Sequence, residues 1–148
     1  MIRLVPQTSV GRLEDLVEEP SLAFAREMLE MSREFYARIG ATAPWFGYFT
    51  VDGERAVGVC GFKGNPVDGV VEISYGTFAA YEGRGYASAV AAALTRLALD
   101  TDPSLTVIAH TLPEENASVR ILRRNGFRFA GEVMDPEDGR VWRWEYAG

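Results

Sequence analysis

Apolar residues along this chain come in two patterns: short β-branched or aromatic runs, and longer stretches with apolar positions three and four apart. Gly, Pro and Asp mark the changes between them. Ile2 to Val5 is a short apolar run stopped by Pro6, which predicts a first strand, with a polar turn at Thr8 to Val10. Leu13, Leu16 and Val17 follow at helical spacing. After Pro20 a longer helical pattern carries Leu22, Ala25, Met28, Leu29, Phe35, Tyr36 and Ile39. Ser21 is placed to cap its start and Gly40 to end it. These predict two helices, or one bent helix, packed on a sheet.

Trp45 to Val51 and Ala56 to Phe62 predict two strands joined at Asp52-Gly53 as a hairpin. Gly64 to Gly69 is a loop, and Val70 to Gly76 continues the meander. Ser88 to Leu99 is a dense run of Ala, Leu and Val without glycine or proline, a helix thin enough to lie close on a sheet. Thr106 to Thr111 predicts a strand and Glu115 to Asn125 a helix. Phe127 to Val133 and Val141 to Tyr146 form a closing hairpin. Asn125-Gly126-Phe127 reads as a helix end, with Gly126 left-handed and Phe127 making the apolar contact beyond it. The predicted order is β-α-α-β-β-β-α-β-α-β-β, an α/β (mixed α+β) sheet with helices on both faces.

The chain has 148 residues, 47% hydrophobic and 24% charged, with no repeat or linker, so residues 1–148 read as one domain. At this size about 70% of the unfolded surface is buried on folding, enough for a core without disulfide or metal. Cys60 and His110 are the sole residues of their kinds. A zinc site or a Cys-His relay would draw on too thin a stock, which leaves carboxylates, hydroxyls and backbone groups. Fifteen Lys and Arg against 21 Asp and Glu give a net charge of −6, the opposite of a nucleic-acid binder's footprint and a better fit to a cationic partner. No apolar run approaches the roughly 20 residues that cross a bilayer, and no signal-peptide pattern opens the chain. The expectation is a cytoplasmic protein, with no membrane partner.

Thr77 to Ser88 carries the most chemistry. Gly83 and Gly85 let backbone amides converge, Arg84 adds charge, and the start of the following helix favours a phosphate or pyrophosphate. Glycine pairs at a helix start are also ordinary turn chemistry. A dinucleotide fingerprint would want Gly or Ala where Ser88 stands and an acidic end to the next strand, which instead closes Ala109-His110-Thr111. A P-loop would need Gly-Lys-Ser/Thr, which is absent.

Three stretches together, Val71-Glu72-Ile73-Ser74-Tyr75-Gly76, Glu82-Gly83-Arg84-Gly85-Tyr86-Ala87 and Glu115 to Phe127, resemble the GNAT N-acetyltransferases, above all the ribosomal-protein N-terminal acetyltransferase branch. The resemblance implies the GNAT fold, a mixed, mostly antiparallel sheet of six or seven strands with about four helices. It also implies an acetyl-CoA site between two splayed parallel strands, those of Tyr75 and Ile108. The amides of Gly83, Gly85, Ala87 and Ser88 would bind the pyrophosphate, with Arg84 and Tyr86 beside them. Thr77, Phe78 and Ala79 would line the pantetheine, and Asn116 resembles the family asparagine that contacts it. Glu82 departs from the Gln or Arg usual at its position and sets a carboxylate near bound phosphates.

Acetyl transfer needs a neutral amine, a polarised thioester carbonyl and a proton for the thiolate. Glu72 is the candidate base, with a solvated or arginine-paired strand carboxylate as the alternative. An amide near Phe78 would polarise the carbonyl. Leu122 stands where many relatives have the tyrosine that protonates the thiolate, so Ser118 takes that role, against a local helix-start use of its hydroxyl. His110 reads as a structural strand end, Tyr75 and Cys60 as core, and Trp45, Phe46, Tyr48 and Phe49 as an acceptor wall or as packing. Arg120, Arg123 and Arg124 form a solvated face or meet the cofactor's 3′-phosphate. The expected activity is direct N-acetyl transfer from acetyl-CoA without metal. The acceptor would be a small-molecule or peptide amine, and the protein a monomer or homodimer. The alternative is a non-catalytic acyl-CoA sensor or scaffold of the same fold.

Overall fold

A computed structural model describes residues 1–148 and orders seven strands into one sheet. In chain order they are β1 (Ile2–Pro6), β2 (Gly47–Asp52), β3 (Arg55–Phe62), β4 (Val70–Thr77), β5 (Thr106–Thr111), β6 (Phe127–Asp135) and β7 (Gly139–Tyr146). Across the sheet the order is β1-β2-β3-β4-β5-β7-β6. Three α-helices accompany them, α1 (Leu22–Ile39), α2 (Tyr86–Thr101) and α3 (Ala117–Arg124). β1 to β4 form antiparallel neighbours, α2 crosses over, and β5 returns parallel to β4.

The β4–β5 pairing covers only Val70↔Thr106, Val71↔Val107 and Glu72↔Ile108. Beyond Glu72, β4 stays with β3, pairing Tyr75 with Cys60 and Thr77 with Gly58. β5 goes with β7, pairing Ala109 with Trp144 and Thr111 with Trp142. The two central strands therefore splay, and their facing edges lose partners.

Strand alternation sorts β4 between two cores. Val71 and Ile73 pack with Val90, Leu94 and Ala98 of α2, Val119 and Leu122 of α3, and Trp144. On the other face Phe78, just past β4, joins Phe49 and Val51 of β2 with Ala25 and Leu29 of α1. Alanines at 91 and 98, both fully buried, let α2 lie close on the sheet as its composition predicts.

Leu13, Leu16 and Val17 do not form a helix. Only the 3₁₀ turn Leu13–Asp15 appears, tucking Leu13 and Val17 into the α1-side core. Between Gly11 and Pro20 there are too few residues to repay helix nucleation, so three α-helices flank the sheet, not about four. Ser21 does not cap α1. Its backbone is already helical (φ −76°, ψ −14°), whereas a capping residue must be extended for its oxygen to reach back. Gly40 closes the helix in the left-handed region at φ 66°, as expected. α3 starts two residues later than predicted because Asn116 caps it, its Oδ1 accepting from the Val119 N–H at 3.0 Å.

Candidate functional site

Gly83 and Gly85 both sit at positive φ, 77° and 83°, and turn the chain sharply into α2. The first hydrogen bond of the helix runs from the Ala89 N–H to the Gly85 carbonyl at 3.2 Å. The amides of Tyr86, Ala87 and Ser88 come before it and have no acceptor within the helix. They open on a cavity of about 540 Å³, bounded across the gap by Tyr75, Gly76 and Thr77 of β4 and by Ala117, Ser118, Ile121 and Arg124 of α3. The Ser88 hydroxyl accepts from Asn125 Nδ2 at 3.1 Å, tying the start of α2 to the end of α3.

The β4 edge completes this cavity. The Phe78 N–H donates to the Val57 carbonyl at 2.8 Å and the Lys63 N–H to the Glu72 carbonyl at 2.9 Å, so these backbone groups face β3. By the two-residue alternation of a strand, the N–H and C=O groups of Tyr75 and Thr77 face the splayed side.

Of the residues expected to hold cofactor, Thr77, Gly83, Gly85, Tyr86, Ala87 and Ser88 line the cavity, and Phe78, Ala79, Arg84 and Asn116 do not. The Phe78 side chain is 2% exposed beneath α1, edge-on to Phe24, and its own amide is engaged with β3, which leaves the neighbouring Thr77 amide to the splayed side. Ala79 is exposed in a 3₁₀ turn. The Arg84 guanidinium lies over the Tyr81 ring, 5.5 Å from its centroid. The Asn116 oxygen is held by its cap. The Tyr86 hydroxyl turns away to Asp52 Oδ2 at 2.6 Å, leaving its backbone to the cavity.

Arg124 is the cation that reaches the wall. Arg123 instead forms a bidentate pair with Glu115 at 2.8 and 2.9 Å and covers Trp144. Neighbouring helical residues point about 100° apart, and Ala117, Ile121 and Arg124 follow the i, i+4, i+7 spacing of one face. That spacing is the sequence signal for Arg124. Glu82 also lines the cavity, exposed to solvent.

A small recess of about 190 Å³ opens beside the splay point, lined by Lys63, Glu72, Ser74, Tyr75, His110 and Ser118 among others. The Glu72 carboxylate, 19% exposed, has Lys63 Nζ at 3.5 Å and His110 Nδ1 at 3.4 Å. His110 Nδ1 is buried without a hydrogen-bond partner. Burial opposes the charge on Lys63, but Glu72, Asp138 and Asp135 outweigh it and hold the ammonium above its ordinary range. Ser118 and Tyr75 line both this recess and the larger cavity. Burial pushes the Tyr75 hydroxyl up to about 12, so it stays protonated at neutral pH.

A third cavity, about 320 Å³, lies between α1 and the sheet and shares Tyr75, Gly76 and Thr77 with the first. Its wall contains no charged side chain. It adjoins an outer stretch of about 470 Å³ in which Glu34 and Glu137 balance Arg38 and Lys63. The inner cavity offers a cationic partner no carboxylate, and the outer stretch offers Glu34 and Glu137. Trp45, Tyr48 and Phe49 are core residues at 8%, 5% and 0% exposure, and neither they nor Phe46 walls this cavity. Cys60 does touch it, its thiol pushed up to about 12 by burial and accepting from Thr50 Oγ1 at 3.4 Å. A cavity of about 570 Å³ at the far end of α2, near Arg96 and Gly148, contains none of the glycine-loop amides.

Residues 6–128 match the family model of the acetyltransferase (GNAT) domain. No curated protein sequence matches the chain. A Bordetella pertussis protein assigned to the GNAT family is 23% identical at a TM-score of 0.62, over 97% of this chain and 94% of its own. The Salmonella typhimurium acetyltransferase that modifies the N-terminal serine of ribosomal protein L7/L12 is 16% identical, with a TM-score of 0.64 and coverage of 99% and 94%. The microcin C7 self-immunity acetyltransferase, solved with acetyl-CoA and AMP, is 16% identical, with a TM-score of 0.65 and coverage of 86% and 72%. These likenesses concern the fold. The family match is of another order, for it runs from the last residue of β1 into β6 and takes in the glycine loop and the splayed strands, and by it the chain belongs to the GNAT acetyltransferase family.

Proposed function

We propose that the chain transfers the acetyl group of acetyl-CoA to a primary amine by direct attack in a ternary complex, in the cytoplasm, where the cosubstrate is available. One observation carries this reading: the β4 edge and the unpartnered amides of the glycine loop line a single cavity at the splay. The amides of Gly83, Gly85, Ala87 and Ser88 suit the pyrophosphate, with Arg124 as the nearby cation. The Tyr75 and Thr77 backbone suits the amides of the pantetheine arm, as an added strand would. The same edge, with the Thr77 amide next to Phe78, suits polarisation of the thioester carbonyl.

The amine nitrogen attacks the thioester carbon, and the carbonyl electron pair moves to oxygen. Collapse restores the carbonyl and breaks the C–S bond. Glu72 takes the proton lost by nitrogen, and the Ser118 hydroxyl gives one to the departing sulfur. Ser118 recovers its proton from Glu72 through the recess both line, so the cycle conserves protons. Lys63 holds the Glu72 carboxylate at the recess wall, with the His110 ring beside it.

Thermal melting and release of free thiol test this reading. Saturating acetyl-CoA should raise Tm, and thiol should appear only with an amine present. Glu72→Gln should cut kcat by about 100-fold, chiefly at low pH where free amine is scarce. Ser118→Ala should slow turnover about tenfold or more and leave acetyl-CoA affinity within about twofold. No rise in Tm with acetyl-CoA would refute the assignment. Stabilisation without thiol release from any amine would favour the acyl-CoA sensor.

A further inference from the structure

We infer that the acceptor is a compact primary amine whose remaining body is uncharged and bears an amide or hydroxyl, recognised by the carboxamide of Gln7. This deepens the transferase reading and rests on it. The observation is the cavity between α1 and the sheet. Its wall combines the apolar surfaces of Phe24, Met28 and Val59 with neutral polar groups from Gln7, Ser32 and Ser74, and contains no charge. At about 320 Å³ it lies at the small end of ligand pockets. It shares the Tyr75 to Thr77 wall with the cofactor cavity, which puts an occupant's amine within reach of the thioester. Through Ser74 and Tyr75 it also borders the Glu72 recess.

Gln7 follows β1 in a 3₁₀ turn and is 6% exposed. No group of the protein hydrogen-bonds its carboxamide. Gly47 makes room for it: a Cβ there would stand 2.5 Å from Gln7 Oε1 and 2.8 Å from Cδ. Its polar atoms stay within reach of solvent, His110 Nδ1 being the one fully buried side-chain polar atom without a partner, so the carboxamide is free to bond what enters from the cavity. A carboxamide both donates and accepts, so its complement is another amide or a hydroxyl and not an ammonium. A polycation would find neither carboxylates in the inner cavity nor net negative charge in the outer one, where two acids face two bases.

The test compares four amines by thiol release from acetyl-CoA with the intact protein: leucinamide, leucinol, isoamylamine, which lacks the polar group, and spermidine. Leucinamide or leucinol should exceed both isoamylamine and spermidine in kcat/KM by about tenfold or more. Gln7→Leu should erase the advantage over isoamylamine and leave acetyl-CoA affinity, measured by its effect on Tm, nearly unchanged. Gly47→Ala, which displaces the carboxamide without removing it, should act in the same direction. The melting temperature of each variant identifies one that fails to fold, and the wild-type panel decides by itself if both do. The inference is overturned if spermidine matches the neutral amines, if Gln7→Leu leaves the preference intact, or if none of the four reacts while acetyl-CoA still raises Tm. Absence of any acetyl-CoA stabilisation would instead strike the transferase reading beneath it.

Discussion

Glu82 stands on the wall of a cavity whose other groups favour an anion, and it is solvent-exposed. A solvated carboxylate near phosphate weakens binding by a few tenths to about 1 kcal/mol. Glu82→Gln should therefore tighten acetyl-CoA binding about two- to fivefold, with the gain shrinking as salt screens the repulsion. Calorimetric titration at two ionic strengths checks it, and unchanged affinity at low salt would mean the carboxylate points clear of the phosphates. Residue types and spacing marked the loop glycines, which line the cavity, because turn chemistry is local; Ser118 came from the family resemblance, and it shares one recess with Glu72. The fate of the Phe78 amide was not readable that way. It depends on which β3 residue lies opposite, and register is a property of the assembled sheet. Gln7 was hidden for a similar reason, since a polar residue after Pro6 looks like a turn until Gly47 is found beneath it.

Among the elements, the loop into α2 does most to position the site, and its geometry depends on residues at positive φ. Gly85 sits at 83° with open space where a side chain would go, so strain and not collision opposes substitution. A left-handed backbone costs an ordinary residue about 1–2 kcal/mol. Gly85→Ala should lower stability by about that amount and weaken acetyl-CoA binding about tenfold as the amides shift. Denaturant melts and a binding isotherm measure both. Helix periodicity foretold the long elements well and the short ones poorly. Eighteen residues of α1 emerged as expected, but three apolar positions before Pro20 became only a 3₁₀ turn. Ser21 failed as a cap because helical dihedrals already begin there.

At the scale of the molecule, burial couples stability to alkaline pH. The hydroxyls of Tyr36, Tyr48 and Tyr75 and the Cys60 thiol are each pushed up to about 12, desolvation being the largest cause in every case. Unfolded, the tyrosines ionise near 10.0 and the cysteine near 9.0. Above those values the unfolded chain has released protons that the folded chain retains, so stability falls as pH rises. Tm should hold between about pH 7 and 9 and decline from there toward about pH 12, with tyrosinate absorbance appearing together with unfolding. Tyrosinate appearing near its ordinary pKa without loss of structure would contradict it. The net charge of −6 is likewise a whole-molecule quantity and does not fix the lining of any one cavity: the one between α1 and the sheet carries no charge.

The sheet is held across its middle by only three residue pairs, Val70 with Thr106, Val71 with Val107 and Glu72 with Ile108. Strands β1 to β4 lie to one side of that seam and β5 to β7 to the other. A cosubstrate seated along Tyr75 and Thr77 and touching α3 would act as a tie between half-sheets as well as a reagent. Its concentration would then add to the hold of the core that already spans the seam, and the two half-sheets would part less readily in the loaded protein.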